Sequence, residues 1–178
     1  MMSDELKFCL NILEEAIKFE EEGMNFFKER EKSAPSAVER SVFASLAADE
    51  AGHRAYLVKI RDEMMAKNDV SVIKIEEDDH SRRAKDIFAG AMEAVADSDP
   101  YSTDELEVLR GALEVERRGF KMYSEAAKGV TSATAKETFE HLAAQEQEHF
   151  RLLSNTLDYL SNPEGFHGFD ESPMLDGG

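Results

Sequence analysis

The sequence repeats itself. Displaced by 96 residues, Ala16-Ile17-Lys18-Phe19-Glu20-Glu21-Glu22-Gly23 falls on Ala112-Leu113-Glu114-Val115-Glu116-Arg117-Arg118-Gly119. At the same offset Ser45-Leu46-Ala47-Ala48-Asp49-Glu50-Ala51-Gly52-His53 falls on His141-Leu142-Ala143-Ala144-Gln145-Glu146-Gln147-Glu148-His149. One offset holds for both blocks without a gap, so the duplicated unit is a pair of elements. Whatever core forms should carry a pseudo-twofold axis.

The elements read as helices, with apolar residues every three or four positions. The first runs from about Asp4 to Lys32, with Leu6, Leu10, Leu13, Ile17, Met24 and Phe27 on one face. Ser33-Ala34-Pro35-Ser36 breaks it; Ser36 with Glu39 forms a capping-box pattern that starts the second, about Ala37 to Lys67. Its stripe is Phe43, Leu46, Leu57, Ile60 and Met64. The third follows Asp99-Pro100-Tyr101-Ser102, with Ser102 and Glu105 as a second box and Leu106, Leu109, Leu113, Phe120 and Tyr123 as its stripe. After Gly129-Val130-Thr131 comes a fourth, carrying Phe139, Leu142, Leu153, Thr156 and Leu160.

About 34 residues, Asn68 to Tyr101, separate the two pairs, too many for a structureless loop in a compact domain. Ser81 to Ala96 has its own short stripe (Ala84, Ile87, Phe88, Ala91, Val95), which predicts an extra short helix. A helix of ~28 residues is ~42 Å long, and at least ~12 extended residues traverse it. The expected fold is therefore all-α: a four-helix bundle of two duplicated αα-hairpins joined by a long crossover (about 68–101), the ferritin-like connectivity. The bundle is expected over 1–161, with a Gly-, Pro- and Phe-rich tail over 162–178 that is non-helical or flexible. The crossover face of Ile87, Phe88 and Ala91 is more apolar surface than a lone bundle uses, which suggests a homodimer or higher homo-oligomer.

Composition narrows the partners. A length of 178 residues fits one domain, and a formal charge of −17 repels phosphate backbones and anionic membranes. No apolar run approaches the ~18 residues of a membrane span. The single Cys9 excludes a cysteine-based metal cage. With the acidic start Met1-Met2-Ser3-Asp4-Glu5 in place of an export signal, a cytoplasmic setting is expected.

Solubility does not explain the carboxylates that interrupt the stripes. Glu20 sits among Leu13, Ile17, Met24 and Phe27, and Glu116 among Leu109, Leu113, Phe120 and Tyr123. The second helix reads Phe43, Leu46, Glu50, His53, Leu57; the fourth reads Phe139, Leu142, Glu146, His149, Leu153. An ionised carboxylate in a dry core must be paired, protonated or bound to metal. No Lys or Arg occupies these lines. Two divalent cations would neutralise the four carboxylates; a protonated or solvated polar layer is the alternative.

Glu-x-x-His occurs four times, which alone means little. Glu77/His80 lies in the charged run Glu76-Glu77-Asp78-Asp79, and Glu164/His167 in the tail, so both are set aside. Glu50/His53 and Glu146/His149 lie in helical stripes, each 30 residues after a stripe Glu (Glu20, Glu116). Residues three apart project from one helix face and can hold one ion together. His141 has no histidine at its duplicate position and reads as surface.

This doubled register, with Phe19-Glu20-Glu21-Glu22-Gly23 and the two Glu-x-x-His motifs, resembles the ferritin-like carboxylate-bridged di-iron superfamily, and within it the rubrerythrin-type proteins, over roughly residues 5–160. The resemblance implies that Glu50 and Glu146 bridge two metals, that Glu20 and His53 complete one ion, and that Glu116 and His149 complete the other. Oxygen-rich ligation with some imidazole suits two iron ions, or manganese or a mixed pair, over structural zinc. In related bundles the residue before each bridging Glu hydrogen-bonds the opposite histidine; here these are Asp49 (to His149) and Gln145 (to His53). Tyr123, two turns past Glu116, is expected in the core with its hydroxyl bonded. The chain departs from typical rubrerythrins in two ways: Gly119 stands where they carry a second carboxylate, and the cysteine-rich electron-donating domain has no counterpart here.

The resemblance implies a non-haem di-iron oxidoreductase whose reduced site reacts with hydrogen peroxide or dioxygen, supplied with electrons by another protein. Two alternatives remain open: an iron-handling ferroxidase, storage or delivery protein, and a metal-free helical interaction module.

Overall fold

The computed structural model describes residues 3–70, 85–90, 103–170 and 174–175, without the side chains of 103–105. Four long helices dominate: α1 (Asp4–Ser33), α2 (Ala37–Lys67), α3 (Thr103–Gly129) and α4 (Ala133–Ser161). The all-α bundle read from the stripes is the observed fold.

Local chemistry sets the helix ends. The Ser3 side chain accepts the Leu6 N–H at 3.1 Å, with Asp4 and Glu5 in the positive first turn of α1. The helix stops as Ala34 turns extended before Pro35, where the α conformation is sterically disfavoured. Ser36 Oγ accepts the Glu39 N–H at 3.0 Å and donates to Glu39 Oε2 at 2.8 Å. The predicted box is thus present, with the carboxylate meeting the hydroxyl. Asn68 closes α2 in the left-handed region (φ 52°), as a C-terminal cap does. Between α3 and α4, Glu5 Oε1 accepts the N–H groups of Thr131 (3.0 Å) and Ser132 (2.8 Å), tying the start of α1 to that turn. The predicted Ser102/Glu105 box lies outside the described side chains.

Packing is closest within the hairpins, α1 on α2 and α3 on α4; α2 meets α4 and α1 meets α3 across them. The apolar core divides in two. One cluster gathers Leu6, Leu13, Leu57, Met64, Tyr123, Phe139 and Leu142, from the start of α1, the end of α2, the end of α3 and the start of α4. The other gathers Phe27, Phe43, Leu46, Leu109, Leu153 and Leu160, from the opposite ends. So α2 finishes at the end of the bundle away from the start of α3, the placement of helix ends that the crossover reading requires. Leu10, Met24, Leu106, Leu113 and Phe120, stripe members by spacing, are only half-buried, while Cys9, Ala16 and Gly23 are buried beside them. The stripe on α1 is rotated toward its small residues, which let the helices approach.

Of the crossover, backbone 85–90 is helical, inside the predicted 81–96. Phe88 is buried against the chain itself, its ring 5.4 Å from that of Phe166, 5.6 Å from Phe169 and 6.3 Å from Tyr159. Of the face named for a second copy, Phe88 therefore packs on the tail and Ile87 is half-buried; Ala91 lies outside the described residues. The tail passes through a 3₁₀ turn, Pro163–Gly165, and is held by Asn155, which donates to the Asp170 carbonyl (2.9 Å) and accepts its N–H (2.6 Å). The Gln147 side chain accepts the Leu175 N–H at 2.7 Å.

Leu46 and Leu142 occupy duplicate positions, are fully buried and belong to different clusters. Leu46→Ala and Leu142→Ala should each cost about 3 kcal/mol. Because the two ends share no apolar contacts, the double variant should be additive within about 0.5 kcal/mol in urea unfolding of metal-free protein; strong coupling would show that the core is continuous.

Candidate metal centre

Between the two apolar clusters lies a polar layer. Glu20 comes from α1, Glu50 and His53 from α2, Glu116 from α3, and Glu146 and His149 from α4; none is more than 5% exposed. Each Glu-x-x-His pair sits on one inward face because three residues advance a helix by nearly one turn. Among the described residues no Lys or Arg is buried, so the imidazoles are the only cationic groups in the layer.

The six side chains form two overlapping groups. Glu20, Glu50, His53 and Glu146 present one ligand atom each within 4.8 Å of one another; Glu50, Glu116, Glu146 and His149 do the same. Glu50 and Glu146 belong to both. His53 Nδ1 lies 3.2 Å from Glu50 Oε2, 3.6 Å from Glu20 Oε2 and 3.7 Å from Glu146 Oε1. His149 Nδ1 lies 3.3 Å from Glu116 Oε2 and 3.4 Å from Glu50 Oε1. The two rings stack near-parallel at 5.4 Å, as the duplication predicts.

The surroundings are unequal. His149 Nε2 lies 3.7 Å from Asp49 Oδ2, so the carboxylate named from the register stands beside the outer nitrogen of that ring. Gln145, its counterpart for His53, is buried. Tyr123 is fully buried and its hydroxyl donates to Glu20 Oε1, reaching from α3 to α1. That bond occupies one oxygen of Glu20 and leaves the other toward His53. The motifs set aside stay aside: Glu164 and His167 are exposed, and Glu77/His80 lies outside the described residues. His141 is half-buried, not a plain surface residue.

Sequence reasoning took Gly119 only as a missing carboxylate. A Cβ there would lie 2.7 Å from Glu146 Oε2 and 2.9 Å from Phe19 Cε1. The Glu146 carboxylate thus rests against bare backbone, and only glycine permits it. At the duplicate Gly23 a Cβ would make ordinary contact with Glu50, 3.6 Å from Cγ. The readable signal was a glycine three residues after each stripe Glu; the close approach needed coordinates.

The layer suits a cation. Glu20 Oε2 and both oxygens of Glu116 and of Glu146 are buried without a hydrogen-bond partner among the described residues, each a costly omission in a dry core. Burial, then the Glu50 charge, pushes the Glu20 carboxyl up to about 8. Burial with the charges of Glu50, Glu116 and Glu20 drives Glu146 well above the carboxylate range, and burial raises Glu116. Glu50 goes the other way: burial would raise it, but the close polar groups of Glu20, His149 and His53, the last hydrogen-bonded at 3.2 Å, bring it well below the carboxylate range. Burial disfavours a charged His53, yet Glu20 and Glu50 outweigh it and lift the ring to about 10. Protons here do what divalent cations would do.

The family model described as Rubrerythrin matches residues 11–101 and 107–171, one stretch over each hairpin. The chain belongs to the rubrerythrin family. Neither the curated proteins nor the solved structures yield a match. No helix among the described residues of this rubrerythrin-family chain is long and apolar enough to cross a membrane. Its buried carboxylate and imidazole groups could hold metal.

The layer fixes how metal-free stability depends on pH. Folded Glu20 keeps its proton up to about 8, against an ordinary 4.5, and His53 up to about 10, against 6.5. Both pKa values are raised, so their contribution is full below the unfolded values and is lost as pH rises through the folded ones. Glu50, lowered, matters only at the acid end. The melting temperature of chelator-treated protein should therefore fall from about pH 5 to about pH 9; a flat or rising profile would contradict these proton positions.

Proposed function

We propose that this chain is a non-haem di-iron oxidoreductase whose reduced site reacts with hydrogen peroxide or dioxygen, with electrons delivered by a separate protein. The observation that carries the reading is the pair of four-residue groups sharing Glu50 and Glu146, in which Glu20 Oε2 and both oxygens of Glu116 and Glu146 lack partners among the described residues. Membership of the rubrerythrin family supports the same chemistry.

In this reading Glu50 and Glu146, common to both groups, would be shared by two irons, Glu20 and His53 would complete the ligands of one, and Glu116 and His149 those of the other. Four carboxylates match the charge of two divalent ions. When bound, the pair supplies two one-electron equivalents and a Lewis-acid surface for a small oxygen species. The chain's own residues do the rest. Tyr123 holds Glu20 Oε1 and so fixes which oxygen faces the site. Asp49 beside His149 Nε2 favours a proton on that nitrogen and leaves Nδ1, which faces Glu116 and Glu50, as the donor atom. Asp49 on one half against Gln145 on the other makes the two ions inequivalent. The apolar clusters above and below exclude bulk water.

Anaerobic Fe(II) titration should give two ions per chain. Glu50→Ala or Glu146→Ala should lose both, because a bridge is shared, and a variant that keeps two refutes the bridging roles. Metal at about 100-fold over its dissociation constant adds about 2.7 kcal/mol per site, about 5.4 kcal/mol for two, so chelation should lower the melting temperature by roughly 10–20 °C for a chain of this size. Reduced protein should be reoxidised by peroxide as a small oligomer; a shell of several hundred kilodaltons filled with iron would make it a storage protein instead.

A further inference from the structure

A groove of about 450 Å³ opens on the outer face between α1 and α3. Phe8, Ile12, Phe19 and Met122 line it with apolar surface. The half-buried Phe19 ring reaches the point where a Gly119 Cβ would be, 2.9 Å from Cε1, and Glu146 Oε2 reaches the same point from within, at 2.7 Å. One methyl-sized gap is thus all that separates the ring in the groove from a carboxylate of the buried layer. The exposed Arg118 guanidinium lies 5.8 Å from the Phe19 ring centre, a cation–π contact that holds the ring in place.

We propose that this groove is the entrance for a small uncharged oxygen species and that Phe19 is the residue that controls its passage to Glu146. The inference rests on the di-iron reading above. The charges at the mouth are balanced, Arg118 and Lys121 against Glu15 and Glu125, in a chain of net charge −17. A balanced rim over an apolar wall neither attracts nor rejects a neutral molecule, while an aquated cation would have to shed water against Phe8, Ile12 and Phe19. The duplication supplies a contrast. The counterpart of Phe19 is Val115, and the counterpart glycine, Gly23, has no aromatic ring within 4 Å of its would-be Cβ. Gly119 makes the passage by omitting a side chain; Phe19 fills it by supplying one.

The test uses nitric oxide, an uncharged diatomic, mixed by stopped flow with the anaerobic Fe(II)-loaded protein, reading the rise of nitrosyl absorbance. Phe19→Ala should raise the association rate at least about 5-fold, and Phe19→Trp should lower it. Fe(II) should stay at two per chain in both, and Val115→Ala should match the parent. Opposite shifts from two substitutions at one position cannot both come from loosening the fold. Equal rates across the Phe19 series, with two Fe(II) bound, would overturn the entrance and leave the di-iron reading intact. A parent chain that binds no Fe(II) would overturn both.

Discussion

Everything in this bundle is arranged around four carboxylates that cannot be hydrated. Glu20, Glu50, Glu116 and Glu146 are almost completely buried, and with no Lys or Arg buried among the described residues only two imidazoles share the layer. Leaving such groups ionised and unpaired would cost several kcal/mol each. The metal-free chain meets this with protons, holding Glu50 well below the carboxylate range and raising the proton affinity of Glu20, Glu116 and Glu146. A pair of divalent cations would match the four carboxylate charges directly, and the unpartnered oxygens of Glu20, Glu116 and Glu146 are available to it. The same layer divides the apolar core into two clusters. Fold and site are one arrangement.

How much of this the sequence discloses depends on periodicity. Four helices and the inward direction of each Glu-x-x-His pair follow from spacing alone, because a helix commits residue i and residue i+3 to one face. The 96-residue duplication then tells which motifs belong together, and it separates Glu50/His53 and Glu146/His149 from the exposed Glu164/His167. The Asp49–His149 proximity was legible only through the resemblance to related bundles, since it joins the two hairpins.

What spacing hides is contact between elements and the fate of irregular chain. Nothing in the pattern says that Phe88 would be buried by Phe166 and Phe169 from the tail instead of facing a second copy. Tyr123 was legible as a core residue, but its bond to Glu20 crosses from one hairpin to the other. Gly119 misleads most. By sequence it is an absent ligand, yet in space the absence is occupied, by Glu146 from one side and Phe19 from the other. The duplicate Gly23 meets Glu50 only at ordinary contact distance and has no aromatic ring beside it, so an almost symmetric fold carries an asymmetric site.

The most direct test is anomalous diffraction at the iron edge from crystals grown anaerobically with Fe(II). The account predicts two peaks per chain inside the bundle, one beside His53 and Glu20, the other beside His149 and Glu116, with Glu50 and Glu146 touching both. No peak in the layer, or peaks only on exposed acidic residues, would contradict it.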